Sequence, residues 1–348
     1  MRIDEVFEQY VPALEQEMQT ILQTEAAEPS PDVEPLYGML RYHLGWADEN
    51  LRPASAASGK RIRPVLCLLS CEACGGDFRQ ALSVAAAIEL FHNFTLIHDD
   101  IQDRSQRRRH RPCVWTLWGE AQAINAGDAL YSIASLAPYR SIACSVPAET
   151  VLFAARSLHS TLLSVCEGQY MDVAFEERTD VTTELYLAMI KRKTASLIAC
   201  STHLGAYIAT GDDVVAGNFR EFGHALGMAF QIQDDILGIW GDTAVTGKPV
   251  GDDIYQRKKT LPILYGLEVG EPEERLRLEQ ILDCAEITPA EVEEATTILS
   301  RLGARQYAVQ SAQKWFDLAL DALGRASPRE PAGAALRVIA ASLIGRTF

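Results

Sequence analysis

Two long apolar segments constrain the fold of this chain more than any other feature. Residues 81–97 and 219–237 are apolar on nearly every helical face, which is typical of helices buried in the middle of a bundle. Three further segments repeat apolar residues at three- and four-residue spacings: Val6 to Leu22, Leu36 to Leu44 and Leu185 to Ile208. Alternating strand patterns are almost absent. We therefore predict an all-α fold.

Clusters of Gly, Pro and Asp mark the ends of the predicted helices rather than domain boundaries. They lie at residues 28–32, 53–59, 75–77, 111–112, 210–213, 241–253 and 327–331. No solenoid repeat, low-complexity tract or long linker divides the chain. We predict one domain over 1–348, a single large helical bundle around a central active-site cavity. It comprises an N-terminal helical segment (1–35), a motif-bearing core (59–262) and C-terminal helices (263–348).

The charge of the chain limits its partners. A net charge of −15 argues against broad binding to nucleic acid or anionic lipid, which requires positive surface potential. The N-terminus lacks the apolar stretch of a signal peptide, and no apolar run of membrane-spanning length is free of charge. The eight cysteines are scattered among apolar residues, which favours buried structural roles over a disulfide framework. We expect a cytoplasmic protein without a transmembrane segment.

Each of the two apolar segments ends in a cluster of aspartates. Asp99 and Asp103 are four residues apart and share a helical face, whereas Asp100 points about a quarter-turn away. Asp234 and Asp235 follow the second segment. A single such cluster is as often a solvated helix end as a binding site, but the repetition favours function. Because Mg²⁺ is usually held by one or two carboxylates plus substrate phosphates, two facing clusters would bind a diphosphate through bridging metals.

Basic residues accompany the acidic clusters, as a diphosphate ligand requires. Lys60 and Arg63 lie on the same side of a helical turn, and an arginine run follows the first cluster at once. Guanidinium groups bind phosphate oxygens in a bidentate manner. His92 lies two turns before Asp99 on the same face, which favours a cavity-lining donor over an ordinary core histidine. Lys193, Lys248 and Lys258 are further candidates, although each alone would be typical of a solvated surface.

At these residues the chain resembles the trans-isoprenyl diphosphate synthases, or polyprenyl synthetase family. The resemblance runs from about Gly59 to Pro262, with the C-terminal helices matching more loosely. The matching pieces occur in family order: GKRIRP, ELFHNFTLIHDDIQD, SQRRRHRPCVW, NAGDAL, EGQYMD, KRKTASL, FQIQDDILG, GKPVGDD and KKTLP.

The resemblance implies a role for each matching residue. Asp99 and Asp103 would be metal ligands with Asp100 supporting, and Asp234, with Asp235 beside it, would provide the second motif. Isopentenyl diphosphate would be bound by Lys60, Arg63, His92 and Arg109. The allylic diphosphate would be lined by Arg108, Lys193, Thr194, Gln231, Lys248 and Lys258.

The resemblance also implies a mechanism and an assembly. Mg²⁺, as three ions with bound diphosphate, and basic side chains would stabilise the departing diphosphate, and the allylic cation would then be attacked by isopentenyl diphosphate. The leaving diphosphate would act as the base, so no protein base is needed. The starters would be dimethylallyl, geranyl and farnesyl diphosphate. A homodimer is expected.

Three positions depart from the family pattern. Gly238 stands where the second motif often has a third Asp, and Asp242 is a candidate for a replacement outer-shell acid. His110 and Cys113 replace the common Gly and Thr after the arginine pair. We expect activity to be retained, because the family's metal contact in the second motif is chiefly its first Asp.

The residues before Asp99 bear on product length, since in this family the growing tail runs down that helix. Phe94 is bulky and Thr95 is small, which resembles enzymes that make the twenty-carbon geranylgeranyl product. Phe91, one turn deeper, is either a second block or ordinary core. The alternatives are a farnesyl or longer-chain synthase, a non-catalytic subunit of a heteromeric prenyltransferase, and a terpene cyclase. The retained Lys60 and Arg109 argue against the cyclase.

Overall fold

A computed structural model describes residues 2–25, 30–56, 59–242, 249–284 and 286–345, and it confirms the predicted all-α class. In chain order the α-helices are α1 (Ile3–Glu25), α2 (Glu34–His43), α3 (Ile62–Ala73), α4 (Phe78–Gln102), α5 (Val114–Trp118), α6 (Glu120–Leu136), α7 (Ala148–Glu176), α8 (Thr183–Ile190), α9 (Ser196–Thr210), α10 (Asp213–Trp240), α11 (Asp252–Tyr255), α12 (Leu261–Val269), α13 (Pro272–Asp283), α14 (Pro289–Arg301), α15 (Ala304–Ala326) and α16 (Ala332–Ile344). A 3₁₀ helix spans Ala137–Cys144 and a π-helical turn spans Lys191–Ala195. A two-residue hairpin pairs β1 (Arg107–Arg108) with β2 (Arg111–Pro112).

Contacts between residues group the chain into two compact units. The first unit contains Met1–His159, Ser201–Ala216 and Pro328–Ala335. The second unit contains Ser160–Cys200, Gly217–Ser327 and Leu336–Phe348. The expectation of one domain over 1–348 stays a prediction.

Helix α4 forms the centre of the first unit. It packs against α6, α3 and α1, and its residues Ala85, Ile88 and Phe91 are fully buried. A capping box between Asp77 and Gln80 starts the helix. In the part of the chain that the structure describes, α4 alone is long and apolar enough to cross a membrane, but 72% of its most apolar stretch is buried inside the fold. This burial confirms the predicted central helix; the expected absence of a transmembrane segment stays a prediction.

The second unit is built around the C-terminal half of α10. Ile232 and Ile236 are fully buried, and they pack in one cluster with Ile190 and Leu261. A second cluster contains Ile239 and residues from α11 to α15. The predicted burial of residues 219–237 is therefore confirmed.

The helical segment predicted from Leu185 to Ile208 is not one α-helix. The π-helical turn Lys191–Ala195 interrupts it, so that α8 and α9 flank a locally widened turn. The turn contains two of the predicted site residues, Lys193 and Thr194.

Candidate active site

The arginine run is folded into the hairpin of β1 and β2. Arg108 pairs with Arg111 across the two strands. The connecting residues Arg109 and His110 both have positive φ angles, +53° and +65°. Two residues of positive φ are the requirement of the two-residue turn that matches strand twist, and glycine or asparagine usually provides them. His110 therefore adopts the left-handed conformation in which the family commonly has glycine.

The hairpin is fixed to the end of α2 by Arg111 and Tyr42. The Arg111 guanidinium donates hydrogen bonds to the carbonyl oxygens of Tyr42 and Ala47, at 3.0 and 2.6 Å. It also lies 3.9 Å from the centre of the Tyr42 ring. In return the Tyr42 hydroxyl donates to the carbonyl of Pro112 at 2.8 Å. These bonds hold the hairpin in one orientation.

Arg108 is oriented by the buried Asp100. Its Nε lies 2.9 and 3.1 Å from the two carboxylate oxygens, and a terminal nitrogen lies 2.8 Å from Oδ1. The Cys113 thiol bonds the same carboxylate, and burial with this contact raises the pKa of Cys113 to about 12. Cysteine therefore still supplies a donor where the family commonly has threonine. Asp100 acts here as the partner of Arg108, and its supporting role toward metal stays a prediction.

Arg63, His92 and Arg109 form the core of the predicted isopentenyl diphosphate group. An Arg63 guanidinium nitrogen lies 3.2 Å from His92 Nε2. Because arginine can only donate, Nε2 accepts, and His92 carries its proton on Nδ1. Arg109 passes so close to Gly59 (φ +91°) that a Cβ there would lie 2.7 Å from a guanidinium nitrogen. Gly59 thus leaves room for the arginine, and Lys60 beside it is exposed.

Positive charge in this group is only partly compensated. Burial, together with Arg61 and Arg108, lowers the pKa of Arg109 to about 10, although Glu89 opposes the shift. Among the described residues, the buried Nη1 of Arg109 has no hydrogen-bond partner. A buried guanidinium with cationic neighbours is stabilised by an anion. The arrangement suits a phosphate group.

Arg61 was not predicted as important, and its role is structural. Its side chain is 1% exposed and forms ion pairs of 2.7 Å with Glu89 and 2.8 Å with Glu15. It points into the core while its neighbour Lys60 stays exposed. A left-handed backbone at Arg61 (φ +51°) accompanies this alternation. The only sequence signal was Glu89, an acid within an apolar helix.

Asp99 and Asp103 occupy the C-terminal end of α4. The backbone N–H of Asp103 donates to the carbonyl of Asp99 at 2.8 Å, so helical geometry continues through both residues. The Asp99 side chain is half-buried and Asp103 is exposed. No group of three or more His, Cys, Asp or Glu residues within the described ranges is arranged to hold a metal ion by itself. Hard carboxylate ligands in a partial set fit Mg²⁺ completed by phosphate and water.

In the second unit, the π turn places Lys193 against α7. The Lys193 ammonium lies 2.5 Å from an Asp172 carboxylate oxygen. A Cβ at Gly168 would lie only 2.3 Å from the Lys193 backbone nitrogen. Glycine at 168 is therefore required for the close approach of the two backbones. Gly168 and Asp172 both lie within the EGQYMD piece, and neither was predicted from the sequence to have a role in the site.

A chain of hydrogen bonds connects Thr194 with the second acidic motif. The Thr194 hydroxyl donates to Gln231 at 2.8 Å, and the Gln231 amide donates to Asp235 at 3.2 Å. The Tyr186 hydroxyl and the Leu261 N–H bond the other Asp235 oxygen. Burial raises the pKa of Asp235 to about 8 despite these donors. Asp235 holds the second motif together, whereas Asp234 beside it is half-buried.

Asp253 occupies the space beside Gly238. A Cβ at Gly238 would lie 2.0 Å from one carboxylate oxygen of the buried Asp253. The acid beside the position of the missing third Asp is therefore Asp253, which was not predicted in this role from the sequence. The outer-shell role suggested for Asp242 stays a prediction.

An aromatic cluster surrounds the predicted chain-length residues in the first unit. Phe94 contacts Tyr131, Phe91 and His98 with ring centroids 5.3, 6.4 and 5.5 Å apart. Phe91 is fully buried, and Phe94 is 9% exposed. The half-buried Thr95 bonds the carbonyl of His92 at 2.7 Å. Tyr131 on α6 also belongs to this aromatic cluster, and the helical spacing along α4 could not predict its contact with Phe94.

The predicted site residues fall into two groups, one within each unit. The first unit contains Lys60, Arg63, Phe91, His92, Phe94, Thr95, Asp99, Asp100, Asp103, Arg108 and Arg109. The second contains Lys193, Thr194, Gln231, Asp234, Asp235 and Lys258, of which Lys258 is exposed. Lys248 lies outside the described residues. Their roles as ligands stay predictions.

The helices and motifs define an all-α isoprenoid synthase, and comparison with known proteins agrees. A family model described as Polyprenyl synthetase matches residues 45–299. Geranylgeranyl diphosphate synthase of Mycobacterium tuberculosis is 41% identical over 291 residues, covering 83% of this chain and 82% of that protein. The (2E,6E)-farnesyl diphosphate synthase of Mycobacterium bovis is 37% identical over 311 residues, covering 88% and 85%.

A solved structure extends the match over the whole chain. Geranylgeranyl pyrophosphate synthase from Corynebacterium glutamicum, complexed with isoprenyl diphosphate and magnesium, has a TM-score of 0.85 at 26% identity and covers 100% of both chains. The chain therefore belongs to the polyprenyl synthetase family, and it is a trans-prenyltransferase. The resemblance inferred from the motifs is confirmed. Structures of family members with bound divalent metal and isoprenyl diphosphate support a dependence on divalent metal.

Proposed function

We propose that this enzyme condenses isopentenyl diphosphate head-to-tail with dimethylallyl, geranyl and farnesyl diphosphate, releasing diphosphate and making geranylgeranyl diphosphate. The observation that carries the proposal is the Arg109 site, where a largely buried guanidinium lies among the cationic neighbours Arg61 and Arg108. The relative from M. tuberculosis supports the twenty-carbon product. The farnesyl synthase from M. bovis keeps a fifteen-carbon product as the second candidate.

Each group of residues has a distinct task in this proposal. Lys60, Arg63, His92 and Arg109 bind the diphosphate of isopentenyl diphosphate. Arg108, oriented by Asp100, binds the allylic diphosphate together with Lys193, Thr194, Gln231, Lys248 and Lys258. Fixed guanidinium and ammonium groups stabilise the negative charge that develops on the departing diphosphate. The carbon–oxygen bond of the allylic substrate then breaks without a protein nucleophile.

Asp99, Asp103 and Asp234 would hold magnesium, with Asp100 and Asp235 supporting them. Three ions would neutralise the leaving group as Lewis acids when bound. The half-buried Asp99 and the exposed Asp103 at the end of α4 support this assignment, since Mg²⁺ takes its remaining ligands from phosphate and water. The proton lost after condensation goes to an oxygen of the leaving diphosphate.

The enzyme is further proposed to act as a cytoplasmic homodimer. Several apolar side chains on α6, the 3₁₀ helix and α7 of the first unit are exposed, which supports burial by a second copy. They are Ile124, Leu136, Ile142 and Leu152. Sedimentation equilibrium of the purified chain tests this, and a monomer at micromolar concentration would contradict it.

A product assay tests the proposed reaction. The purified chain with Mg²⁺ is incubated with labelled isopentenyl diphosphate and each allylic starter, and the products are sized by chromatography. We expect incorporation of label and a twenty-carbon product. A fifteen-carbon or longer product would change the assigned length only. Failure to consume isopentenyl diphosphate alone, with activity restored by a partner subunit, would instead indicate a non-catalytic subunit.

A further inference from the structure

His43, the last residue of α2, lines a small cavity beside the arginine hairpin. The cavity has a volume of about 20 Å³, and its lining includes His43, Arg108 and Arg109. One water molecule requires roughly 10–15 Å³ of such space. The cavity therefore accommodates a single water.

Two buried polar atoms belong to residues that line this cavity. They are His43 Nε2 and Arg109 Nη1, and within the described ranges neither has a hydrogen-bond partner. An unsatisfied buried polar atom is destabilising. Buried waters usually bond such atoms, typically with about three hydrogen bonds each. The two atoms and the cavity thus fit one shared occupant.

The charge around the cavity defines that occupant. Burial lowers the pKa of His43 well below its ordinary value, and Arg109, Arg108, Arg61 and Arg111 lower it further. His43 is consequently neutral near pH 7. Water can accept from Arg109 and can either donate to or accept from the imidazole, so it satisfies both tautomers.

The position of His43 is determined by its neighbours. Tyr42 and Arg111 connect the end of α2 to the hairpin through three hydrogen bonds. The imidazole therefore keeps its place relative to Arg109, which stands at the hairpin tip with φ +53°. A residue so fixed can orient a neighbouring side chain.

We propose that His43 is a positioning residue that holds Arg109, through one buried water, in the orientation that binds the diphosphate of isopentenyl diphosphate. His43 itself does not touch substrate. The proposal rests on the proposed function, because it assigns Arg109 to that diphosphate. Helix α2 precedes the family motifs, which begin at about Gly59.

Kinetics and calorimetry test the proposal with two variants. His43→Phe removes the hydrogen-bonding atoms and keeps an aromatic ring, and His43→Gln restores a polar group near the position of Nε2. We expect His43→Phe to raise both the KM and the calorimetric Kd for isopentenyl diphosphate about fivefold, the loss of about one hydrogen bond. The KM for the allylic substrate and kcat should change less than about twofold. His43→Gln should recover most of the affinity.

His224→Phe serves as the matched control, since His224 is also part-buried with a lowered pKa but lies in the second unit. It should leave both KM values unchanged. A His43→Phe enzyme that is only less stable, with an unchanged KM and Kd for isopentenyl diphosphate, would overturn the proposal. If His43→Phe does not fold, His43→Gln is measured alone. Wild-type affinity of His43→Gln for isopentenyl diphosphate supports the proposal. Tenfold weaker binding of both substrates to His43→Gln overturns it.

A crystal structure provides a readout independent of activity. We expect an ordered water within hydrogen-bonding distance of His43 Nε2 and Arg109 Nη1 in the wild type. A direct contact of His43 with substrate, or the absence of a bridge at high resolution, would contradict the proposal. Failure of the wild type to bind isopentenyl diphosphate at all would instead refute the proposed function.

Discussion

Phe94→Ala is expected to lengthen the product by one isoprene unit. Phe94 lies five residues before Asp99, or about 7.5 Å along the helix axis, and Phe91 lies about 4.5 Å deeper. One isoprene unit adds four chain carbons, about 5 Å when extended. Removal of the Phe94 ring therefore admits one further unit before the tail meets Phe91, which contacts Tyr131 and His159 with ring centroids 5.5 and 5.9 Å away.

Product sizing from labelled isopentenyl diphosphate measures the outcome, and a twenty-five-carbon product should replace the twenty-carbon one. The substitution should also cost about 3–5 kcal/mol of unfolding free energy, because Phe94 is packed in an aromatic cluster. Phe222→Ala is the control, since Phe222 is fully buried in the second unit. It should lose similar stability and keep the product. A folded Phe94→Ala enzyme whose product is no longer than the wild type's would refute this reasoning.

Three further outcomes are expected. His110→Gly should raise the unfolding free energy by about 1 kcal/mol, because glycine relieves the left-handed backbone, and chemical denaturation with no gain would contradict the strain. Gly238→Ala should destabilise by about 1–3 kcal/mol as its Cβ displaces Asp253, whereas Gly217→Ala in the same helix meets nothing within 4 Å and should not. Burial and Arg63 lower the pKa of His92 in the folded state. As pH falls below about 6.5, the unfolded state therefore binds a proton that the folded state does not. The free energy of unfolding should then decrease by about 1.4 kcal/mol per pH unit for this group. His92→Gln should reduce that slope between pH 6.5 and 5.5, and an unchanged slope would show that His92 is charged in the folded state.

The helices and the central position of α4 were predictable, because a segment apolar on every face can satisfy its surface only inside a bundle. The quarter-turn between the Asp99 and Asp100 side chains was also predictable, because successive residues of a helix point in different directions. Helical geometry alone separates the half-buried Asp99 from Asp100, which the structure places against Arg108. Local periodicity carries such information within one helix.

Contacts between distant segments were not predictable in this way. Nothing near Gly238 in the chain indicates that Asp253 fills its side-chain space. The π turn at Lys193 also depends on Gly168, which is 25 residues earlier. The direction of Arg61 depends on carboxylates from α1 and α4. Each of these features is determined by a contact between residues far apart in the chain, and the residue types alone do not indicate which contact forms.

The ion pair of Arg61 with Glu15 makes the first helix a support for the segment that contains Lys60 and Arg63. Residues matched to the family begin at 45, so α1 lies outside them, yet it supplies one of the two carboxylates that neutralise a 1% exposed arginine next to Lys60. A buried charge that loses a partner is destabilising by about 3–5 kcal/mol. An enzyme shortened to its family motifs would thus keep every residue that we propose to bind substrate and still lose one of the two carboxylates that hold Arg61, between Lys60 and Arg63. A helix outside the family match would then be as indispensable as the motifs within it.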